Sequence, residues 1–138
     1  MRGLRILNRR NRGILTMELV VVLPILLLVL LALVELGTYL LAVQAIQGAA
    51  MAGAREATLP GATYDRVSAA VVGALAGWSY AGSLGPDNIQ VTDYPSQGSV
   101  GVAVIVDATQ AAVNSLAIVP GLNLRGKKIT AMFVMRKE

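Results

Sequence analysis

Residues 19–34 form one uninterrupted apolar run, LVVVLPILLLVLLALV, without a charged side chain. If the apolar segment is taken to begin at Ile14, it covers residues 14–34 and is interrupted only by Thr16 and Glu18. At about 1.5 Å per residue, a helix of this length extends about 31 Å, which matches the roughly 30 Å hydrocarbon core of a bilayer. The sequence therefore predicts one membrane-spanning helix. A secretory signal peptide is the competing interpretation, but its apolar region is typically only about 7 to 15 residues long.

The helix is predicted to continue beyond the membrane span. Apolar and alanine-rich sequence follows Glu35, and alanine favours helix, so we extend the helix to about Thr58. Pro60 and Gly61 mark its end. Pro24 lies inside the span, where it removes one backbone hydrogen bond and is expected to kink the helix.

The basic charge of the chain is concentrated before this helix. Five of the 12 basic residues lie within residues 1–13, and without them seven basic side chains face 8 acidic ones. These five are Arg2, Arg5, Arg9, Arg10 and Arg12. Arginines beside an apolar span favour the cytoplasmic side of a membrane, which predicts a cytoplasmic N-terminus. The leader contains no aromatic residue for base stacking, so we expect no nucleic-acid partner.

The composition also restricts the chemistry. The sequence contains no His and no Cys, which removes the usual general base, thiolate nucleophiles, zinc clusters and iron–sulfur ligation. Asp87, Asn88 and Asp93 lack the ligand spacing of a calcium loop and are interpreted as turn residues. We therefore expect a non-enzymatic protein with no catalytic residue, no metal and no cofactor.

Glu18 is the unusual residue of the span. A carboxylate costs about 2.5 to 3.5 kcal/mol at the centre of a bilayer, so we expect Glu18 to have a partner. In the simpler alternative it lies at headgroup level near Arg12 as an ordinary charge at the helix N-terminus. Cleavage between Gly13 and Ile14 would remove the five arginines and create an ammonium group one helical turn from Glu18.

Residues 13–18, Gly-Ile-Leu-Thr-Met-Glu, resemble the class III signal of type IV pilins and pseudopilins. Over residues 13–55 the sequence is similar to the TadE-like segment of tight-adherence pilus proteins. The shared features are Gly13, Glu18, Pro24, the Glu35-Leu36-Gly37 step, and the small-residue stretch 49–55 that ends in Gly-Ala-Arg. Leu19 departs from this pattern, because processed members more often carry an aromatic residue after the glutamate.

The resemblance implies that prepilin peptidase cleaves after Gly13 and that Glu18 pairs with the new N-terminus, Ile14, of a neighbouring subunit. It also implies other pilins or pseudopilins, a pilus assembly platform and the lipid bilayer as partners. The expected function is that of a pseudopilin or minor pilin in the bacterial inner (cytoplasmic) membrane that takes part in assembly of a tight-adherence surface pilus. The alternative is an uncleaved single-pass protein that acts as an interaction scaffold in the envelope.

Small residues recur every fourth position beyond the span and give one helix face a nearly flat surface. Such a face permits close approach of another element, so we predict a packing site there. The partner is either the distal module of the same chain or another subunit. The small residues are Ala45, Ala49, Gly53 and Ala57. The polar residues Gln44 and Gln47 are expected to face solvent.

The distal sequence predicts a small module of helix and sheet. Apolar residues at three-and-four spacing indicate an amphipathic helix over residues 64–80, with Thr63 as its N-cap. This predicted stripe comprises Tyr64, Val67, Val71, Leu75 and Trp78. A turn over residues 82–88 follows.

From Ile89 onward the apolar period changes to two, which is typical of strands. We predict three antiparallel strands: one from Ile89, one containing alternate valines from Val100 to Val106, and one over residues 128–136, with a helical turn near residues 113–118. The expected fold is α+β and pilin-like, with a long transmembrane helix, a second amphipathic helix and a three-stranded sheet. The expected domains are a basic leader (1–13), the helix and its extension (14–59), and an extracytoplasmic module (60–138).

Overall fold

The computed structural model describes the backbone of residues 7–112 and 123–137, and the side chains from Thr16 onward within those ranges. The elements are α1 (Leu7–Thr58), α2 (Tyr64–Ala74), β1 (Ile89–Tyr94), β2 (Ser99–Asp107), α3 (Ala108–Ala111) and β3 (Lys128–Arg136), with short 3-10 helices at Ala81–Ser83 and Pro95–Gln97. The predicted α+β fold is therefore confirmed. The helical turn expected near residues 113–118 lies outside the described residues.

The chain divides into two compact units, Met1–Val34 and Glu35–Glu138. In the first unit, every described side chain except Ala32 is exposed, including apolar ones all around the helix. Within the described residues, one helix is long and apolar enough to cross a membrane. An apolar surface on all sides is what a lipid-facing helix presents, so the chain is compatible with a single-pass membrane protein.

Helix α1 ends at Thr58 as predicted, and Gly61 adopts a positive φ of 73° just beyond it. At the other end, α1 begins at Leu7 and so includes part of the predicted leader. Pro24 lies within α1, and the helix continues on both sides of it. The three predicted domain boundaries stay predictions.

Helix α2 begins where expected and is shorter than expected. The Thr63 hydroxyl oxygen accepts a hydrogen bond from the Arg66 backbone N–H at 3.4 Å, which confirms the predicted N-cap. The predicted continuation to Tyr80 is wrong, because α2 ends at Ala74. Beyond that end Gly77 takes a φ of +100°, a left-handed conformation that glycine adopts without strain and that stops the helix.

The predicted apolar stripe is only partly buried. Val67, Val71 and Leu75 lie in the core, whereas Tyr64 is 41% exposed and Trp78 is half-buried beyond the end of α2. The Trp78 ring packs beside the ring of Tyr80. Its centroid lies 5.6 Å from that of Tyr80, and the two rings are tilted by 45°.

The three strands form the predicted antiparallel sheet, and their order in it is β1-β2-β3. Strand β2 is central, and its alternate valines are buried against the rest of the core. The buried residues of this sheet face are Ile89, Val100, Val102, Val104, Val106, Ile129 and Ala131. Val91 and Phe133, on the two outer strands, continue the same rows but stay 38% and 36% exposed.

Asn88 joins the turn before β1 to the central strand. Its side-chain oxygen accepts from the Gly85 N–H at 3.1 Å, and its amide nitrogen donates to the Ile105 carbonyl at 2.9 Å. Its own carbonyl accepts from the Ile105 N–H at 2.8 Å. The side chain thus fixes the entry of the chain into the sheet, which agrees with the interpretation of this residue as part of a turn.

Replacement of Asn88 by alanine is expected to lower the free energy of unfolding of the second unit by about 1 to 3 kcal/mol, because the Gly85 N–H and the Ile105 carbonyl both lose a partner. Urea unfolding of the full chain in detergent measures this change. Trp78 is the only tryptophan of the sequence and lies in the second unit, so its emission reports on that unit. The exposed neighbour provides the control: Asp87→Ala should change stability by less than about 0.5 kcal/mol.

Candidate functional site

The predicted processing and pairing residues all lie on α1 in the first unit. The backbone of Gly13 and Ile14 is helical, and the side chain of Ile14 lies outside the described set. Glu18 is exposed and stands four residues, about one helical turn, after Ile14. Residues at this spacing share a helix face. The structure therefore places the carboxylate on the face of Ile14, on a helix surface that is otherwise apolar.

Apart from Thr16, the described side chains that surround Glu18 on the helix are apolar. Met17 is 74% exposed and Leu19 is 61% exposed, and the exposure continues through Leu33 at 61%. A soluble helix buries at least one such face, whereas this part of α1 buries none. The first unit thus offers a continuous surface for lipid or for other apolar helices.

Glu35 is a second acidic residue that sequence reasoning treated only as part of the family pattern. Its side chain is 8% exposed, and its carbonyl oxygen accepts a hydrogen bond from the Thr38 hydroxyl at 2.9 Å. It is the first residue of the second unit. A carboxylate at the end of an apolar run was the available sequence signal, but its burial depends on tertiary contacts that the sequence does not display.

The small-residue face of α1 packs inside the second unit. Ala49 is fully buried, Ala57 is 7% exposed and Ala45 is half-buried beside the core. A Cβ atom on Gly53 would lie 2.6 Å from Val71 Cγ2. Gln44 and Gln47 are exposed, as expected.

Of the two partners considered for this face, the module of the same chain is the one in contact. The same Cβ on Gly53 would lie 3.1 Å from Val102 Cγ1, so α1, α2 and β2 meet at this glycine. No atom other than hydrogen fits there at that separation. The face is therefore occupied within the chain at Gly53, which assigns it a structural role in the second unit.

Tyr80 is a buried titratable group of the second unit, in addition to Glu35. Its side chain is 3% exposed, and its hydroxyl has no hydrogen-bond partner among the described residues. Burial raises the pKa of Tyr80 above its ordinary value, because desolvation disfavours the phenolate. The group therefore stays neutral at physiological pH and contributes to packing with Trp78.

Comparison with known families gives one result that coincides with the site. The family model described as TadE-like protein matches residues 13–55, a segment that begins at the predicted Gly13 and contains Glu18 and Pro24. No curated protein and no solved structure is significantly similar to the chain. Residues 13–55 are therefore similar to TadE-like proteins, a likeness that suggests a part in the assembly of tight-adherence pili and association with pilus components.

Proposed function

We propose that this protein is a non-enzymatic pseudopilin or minor pilin that is inserted in the bacterial inner membrane through α1 and takes part in assembly of a tight-adherence pilus. Its arginine-rich N-terminus lies in the cytoplasm and its second unit lies outside it. Prepilin peptidase removes residues 1–13, after which Ile14 becomes the N-terminus.

One observation carries this proposal. The TadE-like match begins at Gly13, the residue that precedes the proposed cut, and it extends over the uncovered apolar surface of α1. A family segment that starts at a cleavage residue and continues through an unburied helix is the arrangement expected of a subunit that is processed first and packed through that helix afterwards.

The charges explain how cleavage allows the helix to pass from contact with lipid to contact with other subunits. Before the cut, five arginines hold the N-terminus on the cytoplasmic face, since each guanidinium is costly to move into hydrocarbon. After the cut those charges are gone, and the ammonium of Ile14 replaces them near Glu18. The carboxylate of one subunit then pairs with the ammonium of its neighbour, and the apolar surface that faced lipid becomes the contact between subunits.

The test is the N-terminal residue of the protein that accumulates in membranes of cells with and without prepilin peptidase. With the peptidase, N-terminal sequencing or mass spectrometry should find Ile14, and the band should migrate as a chain shortened by residues 1–13. Without the peptidase, Met1 should be found. The variant Gly13→Arg provides the uncut control in cells that have the enzyme.

A chain that keeps Met1 in the presence of active peptidase would contradict the proposal and support the uncleaved scaffold instead. Deletion of the gene tests the second half of the proposal, because filaments imaged on the cell surface should be lost or shortened. Unchanged filaments after deletion would contradict a role in pilus assembly, even if cleavage occurs.

A further inference from the structure

Both outer strands of the sheet have backbone edges that the described part of the chain leaves open. β1 is one edge and β3 is the other, since the strand order is β1-β2-β3. A long apolar edge is prone to pair with another strand, so folded proteins usually cover or disrupt it. On β3, Met132 is 52% exposed and Val134 is 48% exposed, which makes this edge both long and apolar.

The hydrogen-bond pattern shows which groups point outward from β3. The Lys137 N–H donates to the Gly98 carbonyl at 2.7 Å, and the Ala108 N–H donates to the Lys127 carbonyl at 2.9 Å. Because bonding alternates along an antiparallel pair, the odd residues of β3 bond to β2 and the even ones face away. Thr130, Met132 and Val134 therefore present outward N–H and C=O groups, for which no backbone partner exists among the described residues.

The same reasoning applies to β1 at the opposite edge. The Ile105 N–H donates to the Asn88 carbonyl, so the even residues of β1 bond to β2 and the odd ones face outward. The Tyr64 hydroxyl donates to the outward carbonyl of Ile89 at 3.4 Å, a long and hence weak bond. Val91 and Asp93 complete this edge.

Charge argues against the pairing of β3 with an antiparallel β3 of a second copy. Strand β3 and its flanks carry basic residues at both ends, namely Lys127, Lys128, Arg136 and Lys137, and no acidic residue between them. Two antiparallel β3 strands would place these cations opposite each other, which is destabilising. Edge β1 carries Asp87 before it and Asp93 within it, and so has the complementary sign.

We propose that β1 of a second copy adds to β3 in parallel orientation, so that the sheet continues from one copy to the next. The proposed register continues the rows of the sheet, in which Ile89 aligns with Val104 and Ala131, and Val91 with Val102 and Phe133. Continuing these rows places Val91 of the incoming strand opposite Phe133. The outward N–H and C=O of the incoming Val91 then meet the outward groups of Met132 and Val134, as parallel pairing requires.

In this register, acidic residues of the incoming strand lie near basic residues at both ends of β3. The incoming Asp87 falls opposite Ile129, diagonal to Lys127, and the incoming Asp93 falls opposite Met135, diagonal to Lys137. Diagonal neighbours on one face lie about 7 to 8 Å apart between backbones, which long lysine side chains can bridge. Lys137 pairs with Asp93 of its own chain and so reaches over this face, and the incoming Asp93 would share this lysine with that pair.

The space beside β3 also suits the incoming edge. A groove of about 590 Å³ lies along β3, and its lining includes Gln47, Gly48 and Phe133. No atom lies within 4 Å of a Cβ built on Gly48, so the floor of the groove is open. Tyr64, which flanks the outward edge of β1, is 41% exposed and would enter this groove.

The interface is heterologous, since two different edges meet and each copy keeps one edge free. Such contacts form open chains rather than closed dimers when the rotation between copies does not close a ring. This inference rests on the proposed function in one respect: copies held in one membrane by the same helix share an orientation, which parallel pairing needs. The proposed pairing joins the second units through the sheet, in addition to the helix contacts between the first units.

Disulfide cross-linking of the full chain in membranes tests the contact, and the natural sequence contains no Cys to interfere. In the proposed register Gln90 of one copy lies opposite Met132 of the next, on the face away from the core. Within one chain these two positions are separated by β2, or about 10 Å, which is too far for a disulfide. Mild oxidation of the double variant Gln90→Cys, Met132→Cys should give a ladder of dimers, trimers and larger species.

Backbone and charge variants test the cause of the ladder. Val134→Pro in the double-cysteine chain removes an outward N–H, so the cross-linked fraction should fall about tenfold relative to the matched Val134→Ala chain. Val91→Pro should lower the cross-linked fraction in the same way from the other edge. It replaces Val134→Pro if Trp78 emission shows that the latter variant does not fold. Asp87→Lys should reduce the ladder, and adding Lys127→Asp should restore it.

Three results would overturn the proposal. The absence of species larger than monomer in the double-cysteine chain excludes the contact, and a dimer formed by Met132→Cys alone indicates antiparallel β3 pairing instead. A ladder unaffected by both proline variants shows that the edges do not pair. Intact filaments without a ladder would refute the edge contact and leave the proposed function standing. A cross-linked ladder, together with filaments that survive deletion of the gene, would support the edge contact and refute the proposed function.

Discussion

Replacement of Gly53 by valine is expected to destabilise the second unit by about 3 kcal/mol, at the upper end of the overpacking range. The first added atom, Cβ, would lie 2.6 Å from Val71 Cγ2 and 3.1 Å from Val102 Cγ1. Both are buried β-branched side chains with little rotational freedom, so relief requires α1 to move away from α2 and the sheet. Urea unfolding of the full chain in detergent, followed by Trp78 emission, measures the loss.

Gly48→Val is the matched control for this prediction. It makes the same chemical change in the same helix, but no atom lies within 4 Å of a Cβ built at Gly48. Because both variants gain the same helix propensity, their difference isolates the packing at Gly53. Equal stability of the two variants would show that α1 does not approach α2 and β2 as closely as the structure indicates.

Glu18→Gln is expected to leave membrane insertion and cleavage intact while it reduces subunit recovered in sheared surface filaments by at least about tenfold. An uncharged amide costs less in a bilayer than a carboxylate, so insertion should not suffer. The amide cannot form an ion pair with the Ile14 ammonium of a neighbour, and a pair in apolar surroundings is worth far more than one in water. Immunoblots of membrane and filament fractions measure both quantities.

Glu18→Asp is the companion variant, because it keeps the charge on a shorter side chain and should recover part of the assembly. Equal filament yields from Glu18→Gln and the unaltered protein would show that the carboxylate has no role in pairing and would favour its placement as a headgroup-level charge near Arg12. Loss of cleavage in Glu18→Gln would instead assign the residue to recognition by the peptidase.

The elements that sequence predicted well are those whose signal is local. The apolar segment 14–34 is long enough to predict a membrane span, and alternating valines in β2 predict a strand with one buried face. The bounds of β3 and the N-cap at Thr63 were likewise predicted because each depends on a few adjacent residues. The end of α2 was misplaced, because the apolar spacing continues through Leu75 and Trp78 while Gly77 breaks the helix between them.

Sequence alone determined the long apolar helix, the concentration of arginines before residue 14 and the three strands, because periodicity and charge act over neighbouring residues. Tertiary structure decided the rest. It assigned the small-residue face at Gly53 to contacts within the chain, buried Glu35, and left Tyr64 exposed at the edge of β1. These features depend on which surfaces meet across long separations in the chain, and a repeating pattern of small or apolar residues permits a contact without naming its partner.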